Sequence, residues 1–342
     1  MPTQPISPAD SRSYLGFARQ TTKGTAVVPT FFATYVGAVS FAHNPNLREI
    51  REAGGGLVPA RQVKDFIAPG ITFGAPMRPD LFGAVAAFFL GADTVSGAGP
   101  FDHALLPVDG RELVTFERNI ADDVVERIVD GVLTQLTLSY QKRDSGPELM
   151  FAAVAEGITE VDEAGPTAET YETERPFLRS DCTWLVDTAG QNLTPTNVEA
   201  CTIDIIKEFD ATILADGITR SDIVPLRYAI SIELIQLFES PDEALSYRLT
   251  HYYDGATQTP GTTPGEIVYP GDLAITANYD TGADEREIVV AVPNIDWGEA
   301  ELSENDPEGS EAVRITRRGI AVVATNPITI DVKNNNAVQY IP

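Results

Sequence analysis

The sequence predicts a mainly β chain formed by tandem duplication of one β-rich domain that carries a single short helix. Three observations support this. Several segments alternate apolar and polar residues with the period of a strand, two short segments open on helix-starting prolines, and the two halves repeat one order of elements. Charge divides the chain as well. Among 342 residues, 50 are acidic and 24 basic, a formal net charge of −26. Residues 1–155 hold 16 acids and 13 bases, whereas residues 156–342 hold 34 acids and 11 bases. Similar-sized halves with such different surfaces predict two domains.

Residues 1–33, with Pro2, Pro5, Pro8 and Pro29 and no clear period, read as an N-terminal arm. The first domain, 34–157, opens with a strand over 34–42. A polar loop follows over 43–61, with Arg48, Glu49, Arg51, Glu52 and the triplet Gly54, Gly55, Gly56. Residues 63–73 are extended but interrupted at Pro69-Gly70. Pro79 then starts a helix over 80–90 that Gly91 closes. After a Gly/Pro-rich loop, strands are predicted at 112–119, 124–129, 132–142 and 149–155. In the third of these, Leu136, Leu138 and Tyr140 alternate with Gln135, Thr137, Ser139 and Gln141. Residues 156–174 hold seven acids and no base, so an acidic linker is expected over 158–179.

The second domain, 180–325, begins with strands at 182–187 and 198–209, where Cys201, Ile203 and Ile205 oppose Thr202, Asp204 and Glu208. Over 224–238, Tyr228, Ile230, Ile232 and Leu234 oppose Arg227, Ser231 and Glu233. Ser240-Pro241-Asp242-Glu243 is a capping box that predicts a second helix to about Tyr252. Strands follow at 273–279, 287–292 and 313–324, and 326–342 reads as a C-terminal arm, partly extended.

Chemistry is scarce. His43, His103 and His251 stand at no catalytic or metal-binding spacing, no phosphate-binding loop is present, and Cys182 and Cys201 read as buried strand residues. Residues 303–309 resemble a calcium loop in composition only. No cofactor or metal is expected, and no enzyme, although 50 carboxylates leave an acid–base pair as a third reading. The cation deficit works against gripping nucleic acid. The start of the chain lacks an apolar leader, and the longest apolar run, 81–92, is too short for a bilayer, so no membrane partner and an intracellular site of synthesis are expected.

Ser13-Tyr14-Leu15-Gly16-Phe17-Ala18-Arg19-Gln20-Thr21-Thr22-Lys23-Gly24-Thr25-Ala26 resembles the opening of tail tube proteins of long-tailed phages. The long loop after the first strand, the strand ending at Phe73-Gly74, the turn Leu90-Gly91-Ala92 and the segment 131–139 resemble that family too. The resemblance covers about residues 13–157. It implies a β-sandwich or barrel unit, assembled in stacked rings around a DNA channel in a virion tail built in the host cytoplasm. The expected partners are other copies of the chain, together with tape measure, terminator and baseplate hub proteins, while double-stranded DNA passes without specific binding. Two units per chain imply a trimeric ring with pseudo-sixfold symmetry in a non-contractile tail; a hexamer with an outward second half is the alternative. The polar residues Gln135, Thr137, Ser139, Gln141, Asp204, Glu208, Arg227, Ser231 and Glu233 are candidates for the lumen. Arg48, Glu49, Arg51, Glu52 and Gly54–Gly56 are candidates for contact between rings. A decoration, baseplate or fibre protein is the competing reading.

Overall fold

The computed structural model describes residues 13–33, 39–42, 45–50, 61–120, 124–141, 149–162, 165–188, 191–210, 222–237, 271–303, 314–322 and 325–342. The chain opens with β1 (Tyr14–Arg19), β2 (Phe31–Ala33) and β3 (Ser40–Ala42). A separate hairpin, β4 (Pro45–Ile50) and β5 (Arg61–Ile67), precedes β6 (Gly70–Pro76). Helix α1 (Pro79–Leu90) begins on its proline and stops where Gly91 takes a left-handed φ of 98°. Next come β7 (Gly91–Ser96), β8 (Phe101–Pro107), β9 (Val114–Ile120), β10 (Val124–Gln141), β11 (Leu149–Glu156) and β12 (Thr159–Asp162). The second half holds β13 (Cys182–Thr188), β14 (Gln191–Leu193), β15 (Val198–Asp210), β16 (Val224–Leu237), β17 (Gly271–Tyr279), β18 (Arg286–Ser303), β19 (Arg314–Ala321) and β20 (Thr329–Asn334).

The halves follow one pairing scheme, antiparallel throughout. In the first, β1 pairs with β2 and β9, and β9 pairs with the first part of β10. There β6 joins β3 and β11, and β11 pairs with the second part of β10. In the second, β13 pairs with β14 and β17, and β17 with the first part of β18. There β16 joins β15 and β19, and β19 pairs with the second part of β18. Along the same edge, β12 follows β11 on β10, and β20 follows β19 on β18.

The two long strands also share an irregularity. The register slips between Ile128 and Gly131 against β9, and between Val292 and Ile295 against β17. At each slip one residue adopts a left-handed backbone, Asp130 with φ 57° and Asn294 with φ 60°. These are bulges, and Asp and Asn are the non-glycine residues that tolerate such a conformation best.

The halves meet inside a sheet. The second part of β10 pairs with β15 on the edge away from β11, from Gln135↔Ile206 to Gln141↔Ala200. One sheet therefore runs β3-β6-β11-β10-β15-β16-β19-β18. Beneath it, a single buried cluster takes in Leu15, Leu136, Ile203, Ile232, Val290 and Ile341. Helix α1 belongs to this core. Pro79 and every residue from Leu81 to Leu90 are buried, as expected of a helix that is apolar all round.

Several expectations need correction. The stretch 14–19, expected in an arm, is a core strand buried on both faces, which removes the period-2 signal. Phe31–Ala33 and Thr329–Asn334, likewise assigned to arms, pair into sheets, and Tyr340 donates its backbone N–H to Asp93 at 2.6 Å. Residues 91–107, expected as a loop, form the β7–β8 hairpin, which puts His103 in a buried strand rather than a loop. Parts of the expected 43–61 loop are strands β4 and β5. Cys182 is only half-buried, whereas Cys201 is buried and its thiol is pushed up by desolvation. The acidic stretch contributes β12 and then packs on α1: the Glu172 carboxylate accepts from the N–H groups of Asp80 and Leu81 at 3.0 and 2.9 Å. The second helix, the triplet Gly54–Gly56, Arg51, Glu52, His43 and His251 lie outside the described residues.

Candidate functional site

The long sheet has one apolar face and one polar face, because each strand alternates and the registers bring like residues opposite one another. On the buried face, Phe73, Ala153, Leu136, Ile205 and Ile230 stand in a row across five strands. On the other face, Gly74, Ala152, Thr137, Asp204, Ser231, Ile320 and Asp296 form a row across seven. Beside it runs Met150–Ser139–Thr202–Glu233–Arg318.

All nine lumen candidates fall on this face. Gln135, Thr137, Ser139 and Gln141 come from β10, Asp204 and Glu208 from β15, and Arg227, Ser231 and Glu233 from β16. Asp204 accepts from the Gln135 amide and the Thr137 hydroxyl, each at 2.7 Å, so neutral donors meet this carboxylate. Glu208 and Arg227 stand opposite one another and pair at 2.5 Å. That hydrogen bond holds the Glu208 carboxyl below its ordinary range and raises Arg227 further. Glu233 meets Arg318 at 3.2 Å. Thr202, Asp204, Ser231, Glu233, Asp296 and Arg318 line a concavity of about 420 Å³ together with Ile232, Ile320, Gly298 and Gly319.

Arg318 and Asp296 were not among the sequence candidates. Arg317 and Arg318 are adjacent, one wholly buried and the other half-exposed, and this equal chemistry on opposite faces masks the alternation. Of the ring-contact candidates, Arg48 and Glu49 lie in β4 opposite Val63 and Gln62, on the hairpin that pairs with no other described strand.

The buried side of the seam is anchored. Lys207 reaches the Phe89 carbonyl at 3.3 Å, and the Tyr228 hydroxyl donates to the Leu90 carbonyl at 3.1 Å. Second-half side chains thus satisfy the open carbonyls at the end of the first half's helix, where a cation also suits the dipole. Burial depresses Lys207 to about 8. His103 is structural, with Nδ1 at 3.1 Å from Asp93 and Nε2 at 2.8 Å from the Asn336 carbonyl. Among the described residues no cluster of His, Cys, Asp or Glu is arranged to hold a metal ion. No described helix is long and apolar enough to cross a membrane.

A mainly β chain whose long sheet sets a concave face over one apolar core defines a class of β-sheet protein. The family comparison gives that class its name. The family model described as phage tail tube protein matches residues 10–235, about two thirds of the chain, and the chain belongs to that family. It is therefore a component of a virion tail. Comparison with curated proteins gives no match.

Proposed function

We propose that this chain assembles edge to edge into rings, and that the rings stack into the tail tube through which the genome leaves the virion. Three copies supply six units in each ring, giving pseudo-sixfold symmetry. The observation that carries this reading is the repeated pairing scheme, down to the bulge at Asp130 and Asn294. Such agreement supports tandem duplication of one unit, with domain limits near 34–157 and 180–325. The alternative hexamer, with the second half turned outward, fits less well, because β15 continues the same sheet as β10.

In this reading the polar face lines the lumen. Asp204, Glu208, Glu233, Asp296 and Glu301 are carboxylates on that face, and Arg227 and Arg318 are cations there. DNA carries one negative charge per roughly 1.7 Å, so a slightly acidic wall lets it slide where a basic wall would hold it. No catalytic step is involved. The β4–β5 hairpin is the element proposed for contact between rings, the tail is of the non-contractile kind, and assembly takes place in the host cytoplasm. The terminal rings meet terminator and baseplate proteins, and the lumen first holds a tape measure protein.

Negative-stain microscopy of the concentrated protein tests the reading. Hollow tubes of uniform bore, with a mass of three chains per ring, are expected. Six chains per ring would favour the outward second half, and monomers at every concentration would overturn tube formation.

A further inference from the structure

The repeated pairing scheme can be compared flank by flank on the two long strands. Each long strand has two edges and two parts. On β10 all four positions are filled: β9 and β12 flank its first part, β15 and β11 its second. On β18, β17 and β20 flank the first part and β19 takes one edge of the second. The other edge, along 296–303, has no partner strand among the described residues. The strand that fills this place on β10 is β15, the neighbour of β16. In the first half that neighbour is β3, which pairs with β6 alone among the described strands.

We infer that the second part of β18 pairs antiparallel with β3 of a second copy, reproducing between chains the β10–β15 seam that exists within one. The inference rests on the ring proposed above and adds its contact strands. The register follows by transfer. In the internal seam Thr137, Leu138 and Ser139 stand opposite Asp204, Ile203 and Thr202. Val132↔Glu156 and Asp296↔Ile320 each follow directly after the bulge, so Thr137, Leu138 and Ser139 correspond to Glu301, Leu302 and Ser303. Glu156 pairs with Gly70 and Ile320 with Ser231, so Asp204, Ile203 and Thr202 correspond to Ala42, Phe41 and Ser40. Glu301 therefore faces Ala42, Leu302 faces Phe41, and Ser303 faces Ser40 of the neighbouring copy. An open pair of complementary edges is a hazard to a lone subunit, and ring closure removes it.

The test is disulfide trapping in assembled protein. With Cys182→Ser as background and Cys201 left in the core, the pairs Ser303→Cys with Ser40→Cys and Glu301→Cys with Ala42→Cys are in register, whereas Ser303→Cys with Ala42→Cys is two residues out. Directly opposite β-carbons approach to roughly 5 Å and diagonal ones to roughly 7 Å, and a disulfide requires the shorter distance. Mild oxidation of tubes should give covalent dimers and a closed three-chain species from both in-register pairs, with a yield roughly fivefold above the offset pair. Tubes that cross-link best through the offset pair, or not at all, would overturn the register while leaving the tube intact. A cross-link confined to single chains would overturn the second copy as partner. Monomers without cross-links at every concentration would overturn this inference and the proposed tube together.

Discussion

The two long strands β10 and β18 have the same length, the same bulge and the same neighbours on three of four flanks, yet one is a seam and the other an edge. On β10 the fourth flank is filled from within the chain by β15. On β18 no described strand occupies it. Two halves whose pairing repeats so closely, except on one flank where no described strand lies, fit the proposal that folding and assembly draw on the same kind of contact.

Matched substitutions across the two seams would break this comparison most sharply. Ile203 is wholly buried between Leu138 and Ile232, and its counterpart Phe41 is only half-buried. Ile203→Asp should cost about 3–5 kcal/mol or prevent folding, because it strands a charge in the core. Phe41 packs at the margin of the core with the Arg118 guanidinium 4.7 Å from its ring centre, so Phe41→Asp should cost about 1–2 kcal/mol, leave a folded monomer and abolish tubes. Urea unfolding with microscopy separates the two, and equal destabilisation would remove the distinction between seam and edge.

The bulges should differ next. Asp130 is buried, and its carboxylate accepts from the Gln20 amide at 3.0 Å and from the Gly24 N–H at 2.8 Å. Asn294 donates its N–H to the Asp272 carboxylate at an exposed position. Asp130→Ala should therefore cost about 2–4 kcal/mol, combining backbone strain with lost hydrogen bonds, and Asn294→Ala less, about 1–2 kcal/mol. Asn294→Gly should cost less than Asn294→Ala, since glycine takes the left-handed backbone without strain. Thermal melts would decide.

Acidity bears on the first half through the stretch that packs on α1. Burial first, then the nearby Asp80 carboxylate, raise Glu172 to about 7 against the hydrogen bonds it accepts from the helix. Asp80 is raised as well, chiefly by burial. A carboxyl with a raised folded-state pKa contributes stability that is present below about pH 4.5 and is lost as pH climbs through about 7. His103 acts in the same direction: burial opposes its charge, but Asp93 and the Asn336 carbonyl prevail and its pKa is raised. Stability should fall by on the order of 1–2 kcal/mol between pH 5 and 8, and Glu172→Gln should flatten that slope. An unchanged slope in the variant would remove Glu172 from the account. The smallest effect belongs to the exposed Arg227–Glu208 pair, where Arg227→Gln should leave the melting midpoint unmoved.

What the sequence revealed follows from where one face is buried and the other is not. Alternation at 132–142, 198–209 and 224–238 located β10, β15 and β16 and sorted their faces, since period 2 survives only under one-sided burial. Pro79 and Gly91 marked α1 by backbone chemistry alone. The failures have equally local causes. Tyr14–Arg19 is covered on both sides and shows no period. Asp130-Gly131 and Pro293-Asn294 look like turns, so the sequence pattern breaks at each bulge, splitting β10 in two and ending β18 at Val292. The very residues that hid the long strands are the ones that most closely relate the halves. Arg318, hidden beside Arg317, and the cross-strand rows needed the registers themselves.

The β10–β15 pairing also has a kinetic side. Because both strands lie on one chain, they meet at an effective concentration of roughly millimolar whatever the dilution of the protein. That seam forms once, during folding, and does not wait for collision. In the proposed ring only the β18 edge depends on encounter, so six units close after three molecules meet rather than six, with fewer partial rings at which growth can stall.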